Sequence, residues 1–324
     1  MKAQTPKYFN SKLGIGILFL PLSIIYWLIS KIKFLTAKPY KSRVKIICVG
    51  NITVGGVGKT PLVIKVVETL LKKHIRVGVL SRGYGGKLSS SKPVLVDAKV
   101  HTTNDVGDEV FMIYQRFNGK IPVCICTNRA NGARLLEKIV DVIIMDDGLQ
   151  NYTLSKDKSI LVFDGEKPIG NGFIFPAGPL REGLKSGIKK ADVVIIMRKI
   201  NQAFEKKLSK YKIPVFNAKV APKNLKKFSG KQVIAFAGIG NPQKFYDTLK
   251  SEKIKIKRLF EFPDHYQYKK EDFEKIIKTA GNMPILTTSK DYVKIPTKYR
   301  KTIIPVEIDL NIKNIKKFLD VILE

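Results

Sequence analysis

The fold of this chain is decided by residues 44–71, VKIICVGNITVGGVGKTPLVIKVVETLL. The first six residues are mostly β-branched and apolar, as in a buried strand, and the second half has the apolar period of an amphipathic helix. The glycine-rich turn between them lets backbone N–H groups converge on oxygen atoms, and the helix start adds partial positive charge. The stretch therefore predicts a cradle for nucleotide phosphates.

Two residues of this turn have predicted ligand contacts. We expect Lys59 to reach the β- and γ-phosphates of a nucleotide and Thr60 to bind Mg²⁺. The strict pattern has Gly five residues before Gly58, where this chain has Thr53. An ordinary glycine turn is the alternative, but Gly-x-Gly-Lys-Thr between a β-branched strand and an amphipathic helix favours the nucleotide site.

Length and charge limit the classes of partner. At 324 residues the chain is long enough for two domains, each with its own core. A formal charge of +32 favours acidic partners such as nucleotide phosphates, anionic lipid or nucleic acid, although much of the excess is Lys on solvated helix faces. Cys48, Cys124 and Cys126 lie in apolar strands, which indicates reduced core residues of a cytosolic protein.

An uncharged segment lies near the amino terminus, at residues 13–30. As a helix it would span roughly 27 Å, close to a ~30 Å hydrocarbon core. Tyr26 and Trp27 suit a lipid interface, six basic residues follow by Lys45, and no acid precedes Glu68. We predict a membrane-anchoring helix, with a buried amphipathic helix as the alternative. A cleaved signal is disfavoured because no small-residue cleavage site follows, so the nucleotide site should lie on the cytoplasmic face.

Several motifs downstream can supply chemistry. Asp108 and Glu109 open a predicted helix, where acids either complement the helix dipole or, if aimed into a phosphate site, take a proton from an attacking hydroxyl. Asp146 and Asp147 follow an apolar strand, where such folds hold a metal, and one is expected to face the metal while the other orients the loop. His265, beside an acid in a turn, is a candidate acid, base or phosphate contact.

Alternating strands and helices predict parallel, doubly wound sheets in an α/β protein. We expect two α/β/α units, the first like a P-loop NTPase, behind an amino-terminal membrane-associated helix. The predicted limits are 1–40 for the helix and basic segment, 41–225 for the first unit and 226–324 for a smaller unit. Whether the last segment packs with the second unit or crosses back to the first is left open.

Taken in order, the motifs resemble the tetraacyldisaccharide 4′-kinase family, the lipid A 4′-kinases of Gram-negative bacteria. The matching stretches are Gly50-Asn51-x-Thr53-Val54-Gly55-Gly56-x-Gly58-Lys59-Thr60-Pro61, Ser81-Arg82-Gly83-Tyr84-Gly85, Val106-Gly107-Asp108-Glu109, Asp146-Asp147-Gly148-Leu149-Gln150, Pro176-Ala177-Gly178-Pro179-Leu180-Arg181-Glu182, Ala237-Gly238-Ile239-Gly240-x-Pro242 and Asp264-His265. Thr53 is normal for this family. Many members have His where this chain has Asn151, so no role is carried to that position.

The resemblance implies that the first unit is a kinase domain that uses ATP and Mg²⁺. The acceptor would be the 4′-hydroxyl of a tetraacylated glucosamine disaccharide 1-phosphate, at the cytoplasmic face of the inner membrane. Partners would be this lipid disaccharide monophosphate and the membrane surface, with no nucleic acid and no obligate protein partner.

The resemblance also implies roles for individual residues. The residues that look catalytic are Asp108 as base, His265 as its support, and Lys59. The residues that look like the nucleotide site are Thr53, Val54, Gly55, Gly56, Val57, Gly58, Lys59, Thr60, Pro61, Glu109, Arg129, Gln150 and Arg181. The residues that look like metal ligands are Thr60, Asp146, Asp147 and Glu182.

Two rival functions remain open to test. A membrane- or DNA-associated partitioning ATPase shares Gly55-Gly56-Val57-Gly58-Lys59-Thr60, but that group has Lys where this chain has Val54 and usually Thr in place of Pro61. A nucleic-acid binder would interleave basic and aromatic side chains on one module, whereas the cations here are scattered.

Overall fold

The computed structural model of the protein describes residues 6–11 and 14–324. Its strands are β1 (Lys45–Gly50), β2 (Val77–Ser81), β3 (Val94–Leu95), β4 (Val123–Ile125), β5 (Val142–Asp146), β6 (Lys158–Asp164), β7 (Val193–Met197), β8 (Val215–Pro222), β9 (Gln232–Ala237), β10 (Lys255–Glu261), β11 (Ile285–Thr288), β12 (Ile303–Val306) and β13 (Ile308–Ile312). Its α-helices are α1 (Leu20–Leu35), α2 (Lys59–Lys72), α3 (Thr103–Val106), α4 (Asp108–Arg116), α5 (Arg129–Leu136), α6 (Leu184–Lys189), α7 (Gln202–Leu208), α8 (Pro242–Ser251), α9 (Lys270–Ala280), α10 (Ser289–Tyr292) and α11 (Ile315–Leu323). Short 3-10 helices lie at Lys7–Asn10, Ile15–Phe19, Lys226–Phe228 and Thr297–Tyr299.

The larger sheet has nine strands in the order β13-β8-β7-β6-β1-β5-β2-β4-β3. The seven strands from β8 to β4 are parallel, and β13 and β3 pair antiparallel at the two edges. Ile47 and Val49 face α2, α4 and α11, whereas Ile46 and Cys48 lie on the opposite face, which α5, α6 and α7 cover. Burial on both faces explains why the strands read as continuous apolar runs, and it confirms the doubly wound prediction.

The smaller sheet has four parallel strands in the order β10-β9-β11-β12. Side chains alternate here as well, so Val233 and Ala235 pack against α8 while Ile234 and Phe236 pack against α9. Both units are therefore three-layered, as predicted from the alternation of strands and helices.

The end of the chain is divided between the two sheets. Strand β12 joins the smaller sheet, but β13 pairs with β8, and α11 packs on the larger sheet through Phe318, Leu319 and Ile322. The smaller sheet is thus inserted between two adjacent strands of the larger one. The predicted domain limits at residues 40 and 225 stay predictions.

Helix α1 lies against the first unit by one narrow face. With the 3-10 helix before it, the helical segment Ile15–Leu35 has 21 residues and is long and apolar enough to cross a membrane, and only 11% of its most apolar window is buried. Ser23, on the buried face, donates to Ile174 O at 2.7 Å and accepts from Ala177 N at 3.0 Å. Residues 1–5, 12 and 13 of the predicted anchoring segment lie outside the described residues.

The sheet order places the candidate site. Strand β1 lies between β5 and β6, and Val49 is paired with Asp146 across the parallel β1–β5 ladder. The loops that follow β1 and β5 therefore leave the same edge of the sheet side by side. In open parallel sheets, ligands bind at this edge.

Candidate active site

The phosphate loop, residues 51–58, joins β1 to α2. Gly55 and Gly58 have φ of +103° and +96°, values that glycine adopts most easily. These are the loop's positive-φ residues, so the backbone at Thr53 has an ordinary conformation and needs no glycine. A Cβ placed at Gly55 or Gly56 would meet nothing within 4 Å, which leaves that side of the loop open.

The proline-rich loop that precedes α6 supports the phosphate loop. Val54 N donates to Pro179 O at 2.8 Å, and Arg181 N donates to Ile52 O at 2.7 Å. These two bonds run between the backbones of the loops. Residues 176–182 therefore hold the backbone of the phosphate loop in place.

Lys59 and Asp147 meet at the open side of the site. Lys59 Nζ donates to Asn51 Oδ1 at 3.1 Å and lies 3.6 Å from Asp147 Oδ1. The same carboxylate accepts from Arg181 Nη1 at 2.9 and 3.1 Å. Burial opposes ionisation of Asp147, but the two cations hold its pKa below the usual range. The backbone at Asp147 has a φ of +48°, uncommon for a residue other than glycine, and strain of this kind recurs at functional sites.

Asp146, the residue before Asp147, differs from it in hydrogen bonding and in the direction of its pKa shift. It is 3% exposed, and its Oδ1 is a buried atom with no hydrogen-bond partner among the described residues. Burial, together with the charges of Glu109 and Asp147, raises the pKa of Asp146 to about 7. A buried carboxylate without a paired cation is costly, and a divalent ion is one group that would compensate its charge.

Arg129 supplies a second unpaired atom. It is 3% exposed, its guanidinium donates to Cys126 O, and its Nε has no hydrogen-bond partner in the described part of the chain. Burial lowers the pKa of Arg129, while the charges of Asp146 and Asp147 act in the opposite direction. Arg129 is therefore a buried cation near Asp146 and Asp147, and its predicted contact with the nucleotide stays a prediction.

Gln150 and Glu182 form a supporting layer. Gln150 Nε2 donates to Glu182 Oε1 and to Asn51 O, both at 3.0 Å. Glu182 Oε2 accepts from Ser186 Oγ and Lys190 Nζ, both at 2.7 Å. Within residues 6–11 and 14–324, no group of three or more His, Cys, Asp or Glu side chains is arranged to hold a metal. The predicted metal contact of Glu182 therefore stays a prediction, since protein donors occupy its carboxylate.

Asp108 and His265 bring the two units together. Asp108 begins α4 and is 4% exposed, and its Oδ2 lies 3.1 Å from His265 Nδ1, in the loop after β10. Gly107, with a φ of +91°, turns the chain into the helix, and a Cβ there would lie 2.4 Å from Tyr84 O. The glycine-rich loop after β2 thus packs against the turn that aims Asp108.

Glu109, the residue after Asp108, contacts Lys290. Lys290 Nζ lies 3.5 Å from Glu109 Oε1, 3.2 Å from Asp264 Oδ1 and 3.4 Å from His265 Nε2. Burial opposes the charge of Lys290, but Glu109 and Asp264 hold its pKa above the usual value. Because the charge of Glu109 also acts on Asp146, this contact joins the Asp108–His265 pair to the phosphate side of the site.

The remaining predicted residues lie on the phosphate loop and the first turn of α2. Gly58 is the N-cap of α2, Lys59 is its first residue, and Thr60 is 9% exposed. Pro61 is in the first turn, where a missing N–H costs no helical bond. Sequence reasoning missed Asn51, Lys190, Lys290 and Lys294 as contacts of the predicted site residues. Asn51 is part of one of the matching stretches, and nothing in the local sequence distinguishes the three lysines among 59 basic residues.

Comparisons with known proteins find one family that matches nearly the whole length of this chain. A family model described as tetraacyldisaccharide-1-P 4′-kinase matches residues 15–324. The tetraacyldisaccharide 4′-kinase of Mannheimia succiniciproducens is 39% identical over 98% of each chain, and that of Haemophilus influenzae is 41% identical over 89% of this chain and 85% of its own. The structure described as the "apo" form of LpxK from Aquifex aeolicus in complex with ATP superposes with a TM-score of 0.79 at 27% identity, covering 96% of this chain and 99% of that one.

Proposed function

The chain belongs to the tetraacyldisaccharide-1-P 4′-kinase family, and we propose that it transfers the γ-phosphate of ATP to the 4′-hydroxyl of a tetraacylated glucosamine disaccharide 1-phosphate. The observation that carries the proposal is the buried Asp108 carboxylate, which lies 3.1 Å from His265 Nδ1 and is followed by Glu109, whose charge acts on Asp146. The family model that matches residues 15–324 describes a kinase and not a partitioning ATPase. The partitioning ATPase is therefore not favoured.

In the proposed reaction, the chain's own residues position two substrates and move one proton. Lys59 and the backbone N–H groups of the phosphate loop bind the β- and γ-phosphates. Asp108 takes the proton of the 4′-hydroxyl while the hydroxyl oxygen forms a bond to the γ-phosphorus. The bond between the γ-phosphorus and the oxygen that bridges to the β-phosphate breaks, and ADP is released. Arg129 and Arg181 add positive charge where negative charge develops.

The acidic edge of the site fits a divalent cation. Asp146 Oδ1 is buried without a hydrogen-bond partner among the described residues, and hard carboxylate and hydroxyl oxygens are the ligands that Mg²⁺ prefers. We propose that Thr60, Asp146 and Asp147 would hold Mg²⁺. Glu182 is connected to this part of the site by the hydrogen bond that it accepts from Gln150. The ion would neutralise charge on the phosphate oxygens.

The wild-type protein tests the proposal directly. We expect the detergent-solubilised chain to move radiolabel from [γ-³²P]ATP to a tetraacyl disaccharide 1-phosphate, giving a 1,4′-bisphosphate on thin-layer chromatography. A disaccharide whose 4′-hydroxyl is blocked is the matched control and should accept no label. ATP hydrolysis that DNA stimulates, without a phosphorylated lipid, would instead support the partitioning ATPase.

We also propose that α1 holds the enzyme on the cytoplasmic face of the inner membrane, where an acylated acceptor is found. Leu18, Leu22, Ile25, Ile29 and Ile32 recur at helical spacing and are 76%, 52%, 53%, 49% and 58% exposed. A contiguous exposed apolar face of this kind is typical of membrane contact. The cations that follow α1 suit an anionic leaflet.

Replacing Ile25 and Ile29 together with Asp is expected to lower binding to anionic vesicles by at least about 100-fold. Each side chain should contribute roughly 1.5–3 kcal/mol by burial in lipid, and ~1.4 kcal/mol is a tenfold change in affinity. Co-sedimentation with phosphatidylglycerol vesicles measures the effect.

Val100→Asp is the matched control for the vesicle experiment. Val100 is 71% exposed but lies outside α1, so an added acid there should leave vesicle binding nearly unchanged. Equal loss of binding in both proteins would assign the effect to net charge and not to the apolar face.

A further inference from the structure

A buried ammonium group lies between two carboxylates at the junction of the two units. Lys294 follows α10, and its side chain is 1% exposed. Its Nζ lies 2.9 Å from Asp291 Oδ1 and 3.8 Å from Asp108 Oδ2, and it donates to Tyr266 O at 3.3 Å. The ring centroid of Tyr268 is 5.0 Å away. A charge buried this deeply persists only where its partners are fixed.

The second unit fixes Lys294 through Asp291. Asp291 is fully buried, and its Oδ2 accepts from Gly238 N at 3.0 Å and from Thr288 Oγ1 at 2.7 Å. Gly238 follows β9 and Thr288 ends β11. The ammonium is therefore attached to the carboxyl ends of two central strands of the smaller sheet, while it reaches a carboxylate that begins a helix of the first unit.

The contacts of Asp108 are concentrated on one of its oxygens. His265 Nδ1 and Lys294 Nζ both approach Oδ2, and among the described residues no hydrogen bond to Oδ1 is found. Burial opposes ionisation of Asp108, but His265, Lys294 and Lys290 hold its pKa below the usual value. Asp108 is therefore ionised at neutral pH, with one oxygen held and the other left for an acceptor.

We propose that Lys294 is a positioning residue for the phosphoryl transfer, which holds Asp108 Oδ2 in place so that Oδ1 meets the acceptor hydroxyl. The inference rests on the proposed function, because it assigns Asp108 the role of base. It also makes the second unit part of the catalytic apparatus through a residue that touches neither substrate. His265 Nδ1 contacts the same oxygen at 3.1 Å, so the two groups act together.

A purely structural role for Lys294 is the competing explanation, since its ammonium also compensates Asp291. Three variants separate the two roles. K294M keeps the side-chain length and removes the charge, which leaves two buried carboxylates without their cation. D291N removes the structural partner and leaves Lys294 beside Asp108. The double variant K294M/D291N removes both charges, so the interior is again balanced except at Asp108.

We expect K294M to lower Tm and to lower kcat by on the order of 10- to 100-fold, because a misplaced base loses its alignment with the hydroxyl. The KM for ATP should stay within about twofold, since Lys59 and the phosphate loop are unchanged. The double variant should recover most of the Tm and still have the low kcat. D291N removes the 2.9 Å partner that fixes Lys294, so it should lower Tm and also lower kcat, but by less than K294M because the ammonium still lies near Asp108.

Two results would overturn the inference. A K294M variant that keeps kcat within about threefold of the wild type would remove Lys294 from the positioning role, and a double variant that recovers both Tm and kcat would assign it a structural role alone. If K294M does not fold, the double variant still decides the question. Wild-type enzyme from the same preparation is assayed beside them, so a failure of the proposed function appears as absence of lipid phosphorylation in the wild type itself.

Discussion

The Asp108→Asn variant is expected to bind ATP normally and to turn over roughly two to four orders of magnitude more slowly than the wild type, the range for losing a general base. The amide keeps the shape of the carboxylate but does not accept the proton of the 4′-hydroxyl. Asp108 is not one of the predicted nucleotide-binding residues, so ATP affinity measured by isothermal titration should change little. Initial rates of lipid phosphorylation at saturating substrates measure kcat.

The neighbouring Asp105 supplies a matched control for Asp108. Its carboxylate caps α3 by accepting from Thr102 N at 2.8 Å and from Thr102 Oγ1 at 2.6 Å. Asp105→Asn therefore makes the same chemical change three residues earlier in the chain. Loss of a cap costs typically ~1 kcal/mol of stability, so this variant should lower Tm slightly and leave kcat within about threefold.

The two variants also separate the two interpretations of acids at a helix start. If Asp108 merely complemented the dipole of α4, its loss would resemble the loss of Asp105, with a small change in Tm and near-normal turnover. A folded Asp108→Asn protein with at least a tenth of wild-type kcat would thus remove Asp108 from the role of base. A loss of a hundredfold or more with little change in Tm agrees with that role.

The phosphate side of the site was predictable because each of its motifs is a short, continuous run of residues at the end of a strand. Strand, glycine turn and helix together predicted the cradle that Lys59 enters, and the end of β5 predicted Asp146 and Asp147 beside it. Thr53 looked anomalous only against the general pattern, since its backbone conformation needs no glycine. The two aspartates differ in the structure: Asp146, the last residue of β5, is buried without a partner for Oδ1 among the described residues, whereas Asp147, which follows the strand with a φ of +48°, contacts Lys59 and Arg181.

The contacts between the units were not predictable from local pattern. Lys294 reaches Asp108 across 186 positions of the chain, and nothing in its own neighbourhood distinguishes it from the other basic residues. Strand β13 is a five-residue edge strand with a mixed burial pattern, and its return to the larger sheet depends on the insertion of the smaller one.

Replacing Asp146 with Asn is expected to lower kcat by roughly 100-fold or more. A bound cation supplies several kcal/mol of charge stabilisation, and each ~1.4 kcal/mol is a tenfold change in rate. The Mg²⁺ concentration needed for half-maximal rate should also rise. Initial rates of lipid phosphorylation across a Mg²⁺ titration measure both changes.

The same Asp146→Asn protein is expected to have a higher Tm than the wild type in Mg²⁺-free buffer. Among the described residues Asp146 forms no salt bridge, and burial, Glu109 and Asp147 all oppose its charge. Between the usual carboxyl pKa and about 7, the folded wild type binds a proton that the unfolded chain has released, so its stability falls as pH rises. The Tm advantage of the Asp146→Asn variant should therefore grow from about pH 4 to pH 7 and stay constant above that.

Asp147→Asn is the contrasting variant, because the two adjacent carboxylates have opposite environments. Asp147 is paired with Lys59 at 3.6 Å and Arg181 at 2.9 Å, and its pKa is held low, so its loss should decrease Tm at pH 8 in the same metal-free buffer. An Asp146→Asn protein that loses Tm as Asp147→Asn does would show that Asp146 is already compensated within the chain. The charge of Asp146 would then already be neutralised without a bound cation. Opposite signs of the two Tm changes, with kcat reduced in both, would mean that the fold keeps Asp146 at a cost to stability because the reaction needs its charge.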